Sequence, residues 1–212
     1  MIRTPIARRR LVLSAVIAST LGLSGCFGLA VTGAAIGTMA ILDRRSLGAQ
    51  TEDQSIELKG LRELNAAVND GNTGSVSITS FNRRVLLSGQ VDSAATRARA
   101  EEVVRAQVPN IKDIYNEIEI TPPTDFATKT KDSSLTARVK AGLVRERNVA
   151  SNAVKVVTER STVFLMGLVT PEEGERAAIV ASQVSGVTRV VTLFEHLTDD
   201  ELAKIQGTDK KR

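Results

Sequence analysis

One pattern occurs twice along the chain, and it constrains the fold more than any other feature. The string "VLLSGQV" at 85–91 returns as "VFLMGLV" at 163–169, so Val85, Leu87, Gly89 and Val91 match Val163, Leu165, Gly167 and Val169. Alternation of this kind puts those residues on one face of a β-strand. Upstream lies a helical stretch: "SIELKGLRELNAAV" from Ser55 in the first copy, "SSLTARVKAGLV" in the second, with Leu135, Val139 and Leu143 four apart. A short alternating run follows ("SVSITSF" or "AVKVVTE"), then a polar turn at Asn82-Arg83-Arg84 or Arg160-Ser161. A second helix then leads into "IKDIYNEIEI" or "VSGVTRVV" as the closing strand. In the second copy this helix has an explicit start: Thr170 as cap, Pro171 at the first helical position and Glu173 completing a capping box.

Each copy therefore reads α-β-β-α-β, an α+β unit spanning 55–121 or 133–198. The tight turn makes the first two strands antiparallel, and the helical crossover makes the third parallel. The result is a three-stranded mixed sheet with one face covered by two helices. Units this small are marginal alone, so the copies are expected to pack on each other. Residues 122–132, with Pro122 and Pro123, read as a semi-rigid linker, and 199–212 as a tail with a short helix at 199–205.

The front of the chain has a different character. Arg3, Arg8, Arg9 and Arg10 precede "LVLSAVIASTLGL", thirteen uncharged residues. A basic flank and a short apolar core describe a cleaved signal at 1–25, too short to span a bilayer. Ser24-Gly25 ahead of Cys26, the only cysteine, resembles a lipobox. A lone cysteine makes no internal disulfide, and lipidation at Cys26 explains it. Cleavage before Cys26 also removes the basic excess. The +4 formal charge falls to 24 basic against 24 acidic residues, so the high pI is no argument for a nucleic-acid partner. Residues 26–54 then read as a Gly/Ala-rich stalk near the lipid interface.

Two α-β-β-α-β units with "VxLxGxV" strands and a "V-S-G-V" entry to the last strand resemble BON domains. Behind a lipobox and stalk, and with "DRRSLGAQTED" and "IYNEI" at matching places, they are similar to the dual-BON outer-membrane lipoproteins, the DolP (YraP) family. That resemblance implies two tandem BON domains and a lipid-anchored protein on the periplasmic face of the outer membrane. Phe27, where many inner-membrane lipoproteins carry aspartate, agrees with that destination. It further implies no catalytic activity, no cofactor beyond the covalent lipid on Cys26, and binding of anionic phospholipid through the second BON domain. Support of envelope integrity and division-linked cell-wall remodelling is implied as well.

The charge pattern bears on this. Residues 126–160 hold eight basic and three acidic residues, whereas 52–120 hold eight basic and eleven acidic. Lys131, Arg138 and Arg145 are seven apart and share one stripe of a helix. The lipid-binding candidates are thus Lys131, Ser134, Leu135, Arg138 and Arg145. Family members can place an aromatic wedge where this chain has Ser134; Leu135 is expected to turn toward the core, and Phe126 is the nearest aromatic. His196 is the sole histidine, and Glu101-Glu102 and Glu172-Glu173 are adjacent pairs pointing in different directions, so neither nucleophilic nor metal chemistry is expected. The competing reading is an adaptor for a periplasmic protein, such as a cell-wall hydrolase regulator or an outer-membrane assembly factor.

Overall fold

In a computed structural model, residues 43–69, 73–205 and 207 are described. The signal segment, Cys26 and the stalk as far as residue 42 lie outside them. Among the described residues no helix is long and apolar enough to cross a membrane.

The first repeat runs α1 (Leu47–Ala67), β1 (Gly74–Phe81), β2 (Arg84–Val91), α2 (Ala94–Gln107) and β3 (Asp113–Ile120). The second runs α3 (Phe126–Arg145), β4 (Val154–Glu159), β5 (Thr162–Val169), α4 (Pro171–Ser182) and β6 (Arg189–His196), followed by α5 (Asp199–Ile205). Each sheet has its middle strand antiparallel to the first and parallel to the third, as the turn and crossover require. α4 is twelve residues long against fourteen for α2, which accounts for the shorter second repeat. The capping box at Thr170 and Glu173 is formed, with Pro171 opening the helix.

Two boundaries differ from expectation, for the same reason. α1 begins at Leu47, not near Ser55, because Ser46 caps it by accepting the Ala49 amide at 3.1 Å. α3 begins at Phe126, inside the stretch read as linker, because Asp125 accepts the Thr128 amide at 2.8 Å. The prolines end just ahead of this cap, so they do not interrupt the helix. In both cases the added turns carry a buried aspartate, Asp53 or Asp132, that the fold needs.

These aspartates are matched parts. Asp53 accepts the amides of Asn82 and Arg83, each at 2.8 Å, and the Ser80 hydroxyl at 2.7 Å. Asp132 accepts the amides of Arg160 and Ser161 at 2.7 and 2.9 Å. All four turn residues have positive φ, between 47° and 66°, without a glycine among them. Left-handed backbone costs about 1–2 kcal/mol per such residue. A carboxylate that collects both turn amides offsets that cost and ties the first helix of each repeat to its hairpin.

Two glycines are fixed by close approach. A Cβ on Gly89 would lie 2.1 Å from the Ser75 carbonyl oxygen, and one on Gly167 2.5 Å from that of Ala153.

Each sheet buries one face under its helices. Ile56, Leu64, Val85, Leu87, Val91 and Val104 anchor the first core; Val139, Leu143, Val163, Leu165, Val169 and Ala177 anchor the second. The opposite faces pack against each other. Phe81 and Leu86 meet Phe164, Met166, Leu168, Leu193 and Leu197 in a third core. The order of layers is helices, sheet, sheet, helices, and every residue of β5 is buried. Burial on both faces is what an unbroken apolar run such as "VFLMGLV" signals.

Candidate membrane-facing helix

α3 buries one stripe, Asp132, Leu135, Val139 and Leu143. Leu135 is 0% exposed and packs inward, so it drops out of the candidate lipid-contact set. Lys131, Ser134, Arg138 and Arg145 are all exposed, and their spacing brings them onto one flank of the helix. Lys129 and Lys140, eleven apart, are also exposed and form the opposite flank. Between the flanks runs a ridge of exposed Thr130, Ser133, Ala137 and Ala141. Phe126 stands at one end of that ridge, 85% exposed, and Val144 at the other, 71% exposed. The seven-residue spacing revealed one flank; the second flank and the ridge follow only once the helix is known to start at Phe126.

Within α3 every exposed charge is positive, although the capping Asp125 is exposed beside Phe126 and Glu159 interacts electrostatically with Lys129. Asp132, the only acid within α3, is buried and committed to the turn amides. None of the five flanking cations forms an ion pair among the described residues. Arg138 donates from Nη1 to the Ser185 carbonyl at 2.8 Å, which steadies it without neutralising it. α1 differs: Arg62 pairs with Glu63 at 3.1 Å and Glu57 with Lys155 at 2.7 Å.

Two cations counted in the basic excess serve another purpose. Lys155 bonds Glu57 and the Ser80 carbonyl, and Arg160 lies 3.3 Å from Glu119, both across the boundary between repeats. Arg189 adds a bond to Glu117 at 2.7 Å. Part of the contrast between an acidic first repeat and a basic second is thus complementarity where they join. What remains free is concentrated on α3. Elsewhere, an apolar groove of about 490 Å³ runs between α1 and β1, lined by Gln54, Glu57, Leu58, Leu61, Ser77 and Ile78.

Among the described residues no three His, Cys, Asp or Glu side chains converge as metal ligands. His196 is exposed and sits edge-on to Phe194, with ring centroids 6.4 Å apart.

Paired α-β-β-α-β units of this kind define a recognised class. The BON-domain family model matches residues 52–122 and 131–196, and the chain belongs to that family. It is similar to the outer membrane lipoprotein DolP of Haemophilus influenzae, at 33% identity over 185 residues, covering 87% of this chain and 95% of that one. It is also similar to the 21 kDa hemolysin of Actinobacillus pleuropneumoniae, at 29% identity over 156 residues, 74% of this chain and 80% of its relative. Among solved structures, CdsD of the Chlamydia trachomatis type III secretion system matches 72% of this chain and 98% of its own at 10% identity, with a TM-score of 0.29 too low to support any argument. The chain is thus an outer-membrane lipoprotein of the two-BON-domain kind.

Proposed function

We propose that lipid on Cys26 holds the protein at the periplasmic face of the outer membrane and that α3 lies along an anionic phospholipid surface, without catalysis, in support of envelope integrity and division-linked cell-wall remodelling. The observation that carries the reading is the surface of α3: two flanks of exposed cations, no exposed acid between Phe126 and Arg145, and a small-residue ridge ended by Phe126 and Val144. Ridge and flanks resemble the layout of helices that lie in a lipid interface. Each cation near an anionic surface contributes about 1 kcal/mol, so three to five of them give roughly 3–5 kcal/mol. That is a millimolar-class affinity for a free domain. Tethering through a lipid supplies the effective concentration that makes it sufficient.

The test is co-sedimentation of the chain from residue 26 with Cys26→Ser, which removes the lipid, on vesicles of graded anionic content and salt. Binding should rise with anionic lipid, fall with salt, and disappear in the Lys131→Glu, Arg138→Glu, Arg145→Glu triple variant. Binding unchanged by that reversal would sink the reading.

One observation favours the adaptor reading as a second possibility. Leu58 is 72% and Leu61 43% exposed beside the α1–β1 groove, where α3 has Ala137 and Lys140 at the matching places. A protein partner on the first repeat predicts that Leu58→Ser with Leu61→Ser impairs envelope function while vesicle binding persists.

A further inference from the structure

Two adjacent arginines near the start of the described chain hold different repeats. The Arg44 side chain is only 7% exposed. It forks onto Glu173, with Nη1 and Nη2 at 2.6 and 2.7 Å from the two carboxylate oxygens, and Nη1 also donates to the Leu168 carbonyl at 3.0 Å. Both partners belong to the second repeat. Arg45 instead engages the first. Its Nη1 lies 2.8 Å from Asp53 Oδ2, and its guanidinium carbon sits 4.1 Å from the centroid of the Phe81 ring. Asp43 takes its remaining donors.

The anchors on each side are themselves structural joints of the fold. Glu173 also accepts the amides of Thr170 and Ala150, so it joins the start of α4 to the chain that leaves α3. Asp53 holds the first hairpin turn, and Phe81 belongs to the core between the sheets. The chain bends at Arg45, and the two consecutive side chains diverge to reach both repeats. A buried bidentate arginine–carboxylate pair has a geometry that lysine cannot reproduce.

We propose that Arg44 and Arg45 form a strap at the root of the N-terminal chain, which couples the two repeats and passes a pull on that chain to both rather than to α1 alone. α1 begins two residues beyond Arg45, and its first turn is held by the cap from Ser46, with the Gln50 side-chain amide donating to the Arg45 carbonyl at 3.3 Å. Without the strap, tension arriving at residue 43 would act on that cap and peel away the helix that carries Asp53. With it, tension reaches β5 and α4 through Leu168 and Glu173, and β1 through Phe81.

Because Arg44 and Arg45 are tryptic sites, the strap can be read directly. The full lipidated chain is placed in phosphatidylcholine vesicles and given brief trypsin, with the exposed loop residue Arg147 as internal reference. Cleavage after Arg44 or Arg45 should run about tenfold slower than after Arg147, since it tracks the open population of the strap. Glu173→Ala should bring the two rates together while amide exchange in β5 stays unchanged. Arg44→Lys keeps the tryptic site, loses the fork, and should do the same. If Glu173→Ala also loosens β5, the Arg44→Lys rate decides between the outcomes, because that variant leaves the α4 capping box intact. Cleavage in the native chain as fast at Arg44 and Arg45 as at Arg147, or a rate that Arg44→Lys leaves unchanged, overturns the proposal.

Discussion

Asp132 shows how much of this fold rests on single carboxylates. It holds two amides of a turn whose residues both lie in left-handed backbone, and it is the acceptor of both among the described residues. Replacement by alanine leaves two donors near the interior unpaired, at a cost of about 2–4 kcal/mol. Chemical denaturation of Asp132→Ala should show that loss, and a change under about half a kcal/mol would mean that water substitutes freely. Glu159 behaves in the opposite way. Burial pushes its carboxyl above the ordinary range, against the opposing hydrogen bond from Gln90, and Asp132 adds to the rise. A carboxyl whose folded pKa is raised supports folding when protonated. Its contribution is full below the usual carboxylate range and is lost as pH climbs through the raised value. Glu159→Gln keeps an acceptor for Gln90 and removes the charge, so it should raise the melting temperature at pH 7 by about 2–4 °C and change little at pH 4. The same gain at both pH values would show that burial of the charge is not the cause.

The elements themselves were largely legible in the chain. Leu135, Val139 and Leu143 at helical spacing, the Thr170 to Glu173 cap and the alternating valines of β2 and β5 each fell where local pattern placed them, because local pattern is what fixes them. The helix starts were not legible by the same means. Ser46 and Asp125 are ordinary polar residues until their amide partners are known, and Pro122-Pro123 reads as a break although a helix starts just beyond it. A non-local signal did exist: "TEDQS" at 51–55 aligns with "TKDSS" at 130–134, and the shared aspartate is the buried one. The same alignment separates the helices by function. α1 carries Leu58 and paired charges outward, α3 carries small residues and unpaired cations. On the proposed reading, Phe126 enters the interface first, and Phe126→Ala should weaken vesicle binding several-fold, since one aromatic buried in lipid is worth on the order of 1–3 kcal/mol. Tryptophan in its place should strengthen binding and move its emission to the blue on anionic vesicles. No blue shift would place this end of α3 away from lipid.

At the scale of the molecule, the decisive feature is the third core. Sequence pattern assigned each sheet one face to bury; β2 and β5 bury both, since Leu86 faces away from Val85 and Leu87, and Phe164, Met166 and Leu168 face away from Val163, Leu165 and Val169. The two repeats are therefore halves of one folding unit, not beads on a linker, and the ion pairs from Lys155, Arg160 and Arg189 to Glu57, Glu119 and Glu117 form the polar rim of that joint. Those pairs are partly exposed and set register more than stability. At this joint the apolar centre, more than its polar rim, supplies the coupling. Met166 is 0% exposed and lies within it, so Met166→Ala should cost about 2–5 kcal/mol. The form of the loss is more telling than its size. Calorimetry of the native chain should give one transition with calorimetric and van't Hoff enthalpies in agreement, because neither sheet can leave the other without exposing its inner face. Met166→Ala with Leu86→Ala should split that transition or drive the enthalpies apart, whereas Val139→Ala, in the core beneath α3, should lower a transition that stays single. Two transitions already present in the native chain would show that the sheets touch without being coupled.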